Sequence, residues 1–141
     1  MKKGAVLILF LSVIGMSTIG YTQESAKLEI SKIVVSPKKP RAAQCCFSVQ
    51  VWVKNKGNVG SGSYNMWVFV QQEPKPGTGQ RRQTMTKDHG SGRPIVGGSI
   101  GPNREELVYS RSDWVVNYPQ LHTVEVEIVG HDKEFKHFEA W

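Results

Sequence analysis

The sequence predicts an all-β chain: an antiparallel β-sandwich of two sheets with about seven strands, preceded by a signal peptide. Three observations predict it. From Leu28 onward apolar residues recur at every second position, the spacing that sends successive side chains to opposite faces of a sheet. Clusters of Asn, Gly and Pro punctuate these runs, and no segment after the leader shows a helical period of 3.6. The 141 residues, 39% hydrophobic and 21% charged, have room for one globular domain. That composition excludes a disordered tail or a collagen-like chain, and two cysteines exclude a disulfide-dense scaffold.

The leader comes first. Lys2 and Lys3 precede the apolar run Ala5 to Met16, and the small polar stretch STIGYTQES follows, the three-part layout of a secretory signal peptide. Cleavage after Gly20 or Thr22 is expected, giving a signal peptide over residues 1–22 and a domain over residues 27–141. The competing reading is an uncleaved anchor, since the uncharged segment Gly4 to Tyr21 just reaches the lower range for a membrane span. No cysteine lies near the cleavage site, so a lipid anchor is not expected. The mature protein would be periplasmic or extracellular, with no membrane span. Loss of Lys2 and Lys3 leaves 16 basic and 12 acidic residues, a net charge of +4. This mildly basic balance, without basic residues clustered among aromatics on one element, does not suit nucleic acid. An anionic surface, glycan or lipid headgroup suits it better.

LEISKIVVSP reads as the first strand, ended by Pro37 and Pro40. The clearest strand is CFSVQVWVKN, in which Phe47, Val49, Val51 and Val53 share one face and Ser48, Gln50, Trp52 and Lys54 the other. Asn55-Lys56-Gly57-Asn58 then reads as a turn of residues that tolerate positive φ. From Tyr64 to Val70, Tyr64, Met66, Val68 and Val70 alternate with Asn65, Trp67 and Phe69, so both faces are largely apolar. Glu106 to Val116 reads as a strand whose inward face is ambiguous, because Leu107 and Tyr109 compete with Val108. HTVEVEIV sets Val124, Val126 and Ile128 opposite Thr123, Glu125 and Glu127. The tail KEFKHFEAW has no strong inward apolar row and reads as a weakly held last strand.

One stretch breaks the pattern. Gln71 to Ser99 holds six of the fourteen glycines and carries Lys75, Arg81, Arg82, Lys87 and Arg93 against Glu73 and Asp88. Structureless loops beyond about 15 residues are uncommon in compact domains and tend to be functional or disordered. A short strand near Arg82 to Thr86 is expected to interrupt this basic insertion 71–99.

Several stretches resemble the bacterial cell-adhesion-related domain family, CARDB. They are Leu28-Glu29-Ile30 through Val35-Ser36-Pro37, Val49-Gln50-Val51-Trp52-Val53-Lys54-Asn55-Lys56-Gly57-Asn58, Gly62 through Val70, and Gly98-Ser99-Ile100-Gly101-Pro102-Asn103, with coverage from Leu28 to Val129. The resemblance implies an immunoglobulin-like β-sandwich, an extracellular setting and a role in adhesion or ligand presentation. It brings no catalytic residues and no cofactor.

The candidate chemistry is sparse. Cys45 and Cys46 are adjacent; Cα atoms about 3.8 Å apart are closer than disulfides normally span, and thiols in a regular strand would face opposite ways. Cys45 shares parity with Phe47 and Val49, so the leading expectation is a free, core-facing Cys45 with Cys46 outward. A distorted vicinal disulfide and an interchain bridge are the alternatives. His89, His122, His131 and His137 form no metal-ligand spacing and are expected at exposed positions. Gly77-Thr78-Gly79 and Gly90-Ser91-Gly92 lack the following Lys and helix of a phosphate loop. No catalytic or metal site is therefore expected.

Trp67 and Phe69 fall on the face opposite Tyr64, Met66, Val68 and Val70, and the neighbouring strand is expected to present Glu125 and Glu127 beside them. Either this face binds a glycan or a protein, or the insertion folds back over the rings and pairs Arg81 or Arg82 with the acids. The expected function is an exported, non-enzymatic binding or adhesion module whose partner is a protein or glycan at the cell envelope. A subunit that assembles through a sheet edge and a small periplasmic redox or metal protein using the cysteine pair are the alternatives.

Overall fold

The computed structural model describes residues 24–141, so the expected signal peptide lies outside the described residues. Eight strands form two antiparallel sheets: β1 (Leu28–Ser36), β2 (Phe47–Asn55), β3 (Tyr64–Gln72), β4 (Gln83–Met85), β5 (Ile95–Gly97), β6 (Glu105–Trp114), β7 (Leu121–Ile128) and β8 (Asp132–Glu139). The smaller sheet has the order β1-β2-β6. The larger runs β4-β3-β7-β8, with β5 also pairing β3. This is an all-β sandwich with an immunoglobulin-like strand arrangement.

Period-two patterning accounts for the core directly. Phe47, Val49, Val51 and Val53 of β2 are buried, as are Met66, Val68 and Val70 of β3 and Val124, Val126 and Ile128 of β7. Each such side chain contributes roughly 1.5 to 3 kcal/mol on removal from water. Phe47 extends this core toward one end, with its ring centroid 6.4 Å from Trp114 and 5.2 Å from Phe138.

Bulges explain where alternation fails. In β1 the register shifts between Ile30 and Lys32, and the inward parity moves from Leu28 and Ile30 to Ile33 and Val35. Opposite β2, β6 carries two such shifts, so that Tyr109 and Trp114 are both buried despite opposite parity. An extra residue reverses every side chain beyond it, which is why no single inward face could be assigned there.

The turn after β2 forms differently from the expectation. No residue from Asn55 to Asn58 has positive φ. Instead the buried Asn55 side chain holds the turn: its Oδ1 accepts from Lys27 N (3.1 Å) and Gly57 N (2.9 Å), and its Nδ2 donates to Val59 O (2.7 Å) and Ile100 O (3.0 Å). Gly57 is required because a Cβ there would collide with the Ser25 carbonyl.

The tail is also more firmly held than its sequence suggests. β8 pairs with β7 from Asp132 to Glu139, and Phe138 and Ala140 are buried. The Trp141 N–H donates to Pro40 O (3.1 Å), and Trp141 O accepts from Ala42 N (2.7 Å). One inward aromatic, Phe138, stacked on His122 and tilted against Phe47, replaces the missing apolar row.

Candidate functional site

The outer face of the larger sheet is built from cross-strand rows. Register sets Trp67 beside Glu127 and Glu127 beside Lys133; the next row is Phe69, Glu125 and Phe135; the third is Gln71, Thr123 and His137. Strand alternation places all nine on one face, and cross-strand neighbours at this spacing interact directly. Trp67 and Phe69 are half-buried and stacked, with centroids 5.7 Å apart and planes at 14°. Phe135 is 48% exposed at the margin.

The polar groups of this face are tied down. Buried Glu125 accepts from Gln71 Nε2 (2.5 Å) and pairs with Lys133 Nζ (2.5 Å). That contact with Glu125 raises the Lys133 pKa. Thr123 Oγ1 lies 2.8 Å from both Glu73 Oε1 and His137 Nδ1. Partial burial opposes charge on Glu73, but hydrogen bonds from Arg82 and Thr123 outweigh it and hold the carboxyl below its ordinary range. Arg82 therefore pairs with Glu73 (2.7 Å), inside the insertion, rather than with Glu125 or Glu127. Arg81 is exposed and joins no ion pair among the described residues. The expected pairing of Arg81 or Arg82 with the β7 acids fails because Lys133, one strand over, already occupies Glu125.

The insertion is less irregular than it reads. β3 extends through Gln72, β4 returns along Val70 to Gln72, and β5 pairs with Tyr64 to Met66. Between these two short strands Val68 has no strand partner on that edge, and His89 takes the place of one. Its Nε2 lies 3.0 Å from Val68 N and 2.8 Å from Val68 O. The imidazole also stands 4.9 Å from Trp67 and 5.0 Å from Phe69. Adjacent Asp88 accepts from Tyr109 Oη (2.9 Å) and pairs with Arg111 on the opposite sheet. Burial, followed by the Asp88 contact, pushes the Tyr109 hydroxyl well above its usual pKa. The insertion thus covers the aromatic pair in part, through His89, and leaves both rings half-buried.

Two of the four histidines, His89 and His122, depart from the exposed positions expected of them, while His131 and His137 are exposed as expected. His89 is half-buried, and His122 is fully buried and stacked on Phe138 at 5.3 Å. His131 Nδ1 accepts from Leu28 N at 3.3 Å. His122 shares the inward parity of Val124, Val126 and Ile128 in β7, so alternation already carried the signal for its burial, whereas His89 lies outside any strand.

Cys45 and Cys46 are joined in a vicinal disulfide, and Cys45 is exposed. The core-facing free thiol is therefore wrong. β2 begins only at Phe47, so its parity does not extend back to Cys45. The bridge lies before β2 in the β1–β2 connection, in none of the three rows of the aromatic face. Among the described residues no group of three or more His, Cys, Asp and Glu side chains could hold a metal ion, and no helix is long and apolar enough to cross a membrane.

The missed members of the face are His89, Gln71, Lys133 and Phe135. The last two could have been placed by pairing the tail in register with HTVEVEIV, since Glu125 faces Phe135 and Glu127 faces Lys133. His89 carried no such signal.

No family model and no curated protein matches this sequence. Among solved structures, the chain is similar to the β-glucosidase of Listeria innocua, with a TM-score of 0.50 and 16% identity over 82% of this chain and 16% of that one. It is similar to the GH3 β-glucosidase of Bifidobacterium adolescentis at a TM-score of 0.50 and 13% identity, over 82% of this chain and 17% of that one. The alkylpurine DNA glycosylase AlkC of Pseudomonas fluorescens gives a TM-score of 0.49 and 14% identity, over 82% of this chain and 30% of that one. The chain spans less than a third of each of these proteins, and at such identities the likeness concerns the fold alone.

Proposed function

We propose that this chain is an exported, non-enzymatic binding module, CARDB-like in kind, that presents the outer face of its larger sheet to a protein or glycan at the cell envelope. The observation that supports it is the cross-strand arrangement of Trp67, Phe69 and Phe135 with Glu125 and Glu127. Half-buried Trp67 and Phe69 with half-exposed Phe135 supply apolar contact, while Glu127 and Lys133 supply orienting polar contacts over the buried Glu125 and Gln71, the combination that recognition surfaces use. Glu125 is held by two donors, which suits a fixed acceptor better than a proton carrier. Exposed Arg81 and the basic insertion border the face and would attract an anionic envelope surface.

The test is retention of the purified chain on host cell envelopes. Glu127→Lys changes the face without touching the core, so stability should stay within about 0.5 kcal/mol while retention falls at least tenfold. Trp67→Ser combined with Phe69→Ser should abolish retention, with thermal melts run in parallel to monitor folding. Undiminished retention of both variants would remove this face from the functional account.

A further inference from the structure

The β1/β8 edge of the sandwich carries a second surface, which adjoins the aromatic face at Phe135 and His137 but does not include Trp67 or Phe69. β1 and β8 are the end strands of their respective sheets. Two confluent grooves of about 400 and 490 Å³ run between them, sharing Lys32, Ile33 and Lys136. Consecutive residues of both strands form the walls, so the groove follows the strand direction. The stretch Lys32 to Val35 alone offers about 13 Å at the usual rise per residue. The apolar lining of the larger groove is Ile33, Val34, Val35 and Phe138.

One end of this edge is closed by side chains. Leu28 N donates to His131 Nδ1 (3.3 Å) and Ile30 N to Asp132 Oδ2 (2.8 Å). The bulge between Ile30 and Lys32 follows, and beyond it no comparable cap reaches β1 among the described residues. A free strand edge over an apolar floor is the geometry of strand addition, in which main-chain pairing supplies affinity and alternate side chains supply specificity.

The charge decides the occupant. Lys32, Lys38 and Lys136 line the larger groove without a carboxylate, and Glu134 is the one acid lining the smaller, so lysines outnumber acids along the whole edge. Lysine on an edge repels a basic strand and disfavours an uncharged one, which would desolvate the ammonium without pairing it, whereas a strand that alternates apolar residues with carboxylates would lay the former on the floor and the latter against the ammonium groups. Residues 1–23 contain two lysines and no Asp or Glu, so the chain's own leader lacks the complementary chemistry. We infer that the β1/β8 groove docks an extended acidic segment of a partner protein, with apolar and acidic residues in alternation.

Fluorescence anisotropy with a labelled octapeptide of alternating Val and Glu tests this. The purified chain should bind it in preference to a block peptide of the same composition and to an alternating Val and Lys peptide. Backbone amide shifts should concentrate at Lys32 to Val35 and Lys136 to Phe138. Lys32→Glu combined with Lys136→Glu should weaken binding at least tenfold, leave the melting temperature unchanged and gain affinity for the Val and Lys peptide. Trp67→Ser with Phe69→Ser should not alter peptide binding, and envelope retention should survive the lysine reversals, so the two surfaces stand or fall separately. Equal binding of the block peptide or of heparin would overturn the inference. So would an absence of peptide binding accompanied by self-association of a Lys136→Val chain, which would make the lysines guards against aggregation only.

Discussion

Where β6 and β3 border the sandwich, a single dipeptide, Asp88-His89, spans from one sheet to the other; where β1 and β8 border it, a groove runs between the sheets and lysines line its rim. Both edges face the same problem, unpaired strand backbone beside apolar side chains. At the first, a side chain stands in for a strand: His89 Nε2 lies between the Val68 amide and carbonyl in the gap between β4 and β5, accepting from the one or donating to the other according to its tautomer. At the second, hydrogen bonds from the Leu28 and Ile30 amides to His131 and Asp132 stop short and charge takes over. Closure of a sheet edge can thus be local and chemical, requiring neither a full strand nor a large loop.

The comparison breaks first at the floor of the open edge. Phe138 lies between His122 and Phe47 and is buried, so Phe138→Ala should cost about 3 to 5 kcal/mol, measured by urea unfolding. The clamp at the sealed edge should be worth less. His89→Ala leaves the Val68 backbone groups to water and removes contacts with two rings, a loss of about 1 to 3 kcal/mol. Tryptic cleavage between Lys75 and Arg93 should then accelerate and Trp67 fluorescence should shift to the red. If His89→Ala proved as costly as Phe138→Ala, the clamp would be part of the core rather than a closure.

Acid should discriminate the two edges further. Burial lowers the His122 pKa; its Nδ1 lies 2.8 Å from Gln120 O while Nε2 is buried without a partner. The unfolded chain therefore binds a proton near the ordinary value of about 6.5 that the folded chain accepts only at lower pH. Stability is fully present above that value and falls as pH drops through it toward the folded pKa. His122→Phe should flatten this part of the profile, whereas His89→Ala should leave it in place. The smallest effect belongs to the disulfide. Cys45 and Cys46 are adjacent and close no loop, so little chain entropy is removed from the unfolded state. Reduction should change stability by less than about 1 kcal/mol, and a melt with and without reductant measures it.

The sandwich was legible because most of its strands keep a simple parity. Val49, Val51 and Val53 against Val124, Val126 and Ile128 define two facing sheets from alternation alone. Trp67 and Phe69 could be placed opposite Glu127 and Glu125 for the same reason, once β3 and β7 are neighbours. Parity failed in β1 and β6, where bulges reverse it, and at Cys45, which precedes its strand. It could not reach His89 or Asp88, whose partners lie 21 and 23 residues away across sheet edges. Nor could it place Lys136, which shares the inward side of β8 with Phe138 yet sits where that side opens to solvent.

The pairing of Gln72 with Gln83 has a consequence for how this chain could change length. Together with the Arg82–Glu73 ion pair it fastens the base of an eight-residue exposed tip, Pro74 to Arg81, before the clamp at Asp88-His89 begins. Insertions into that tip would alter only a loop whose ends are already fixed, and doubling its length would add about 0.6 kcal/mol in closure entropy. The tip is therefore a graft point: foreign sequence placed there would be displayed beside the aromatic face, while the strands on either side kept their register.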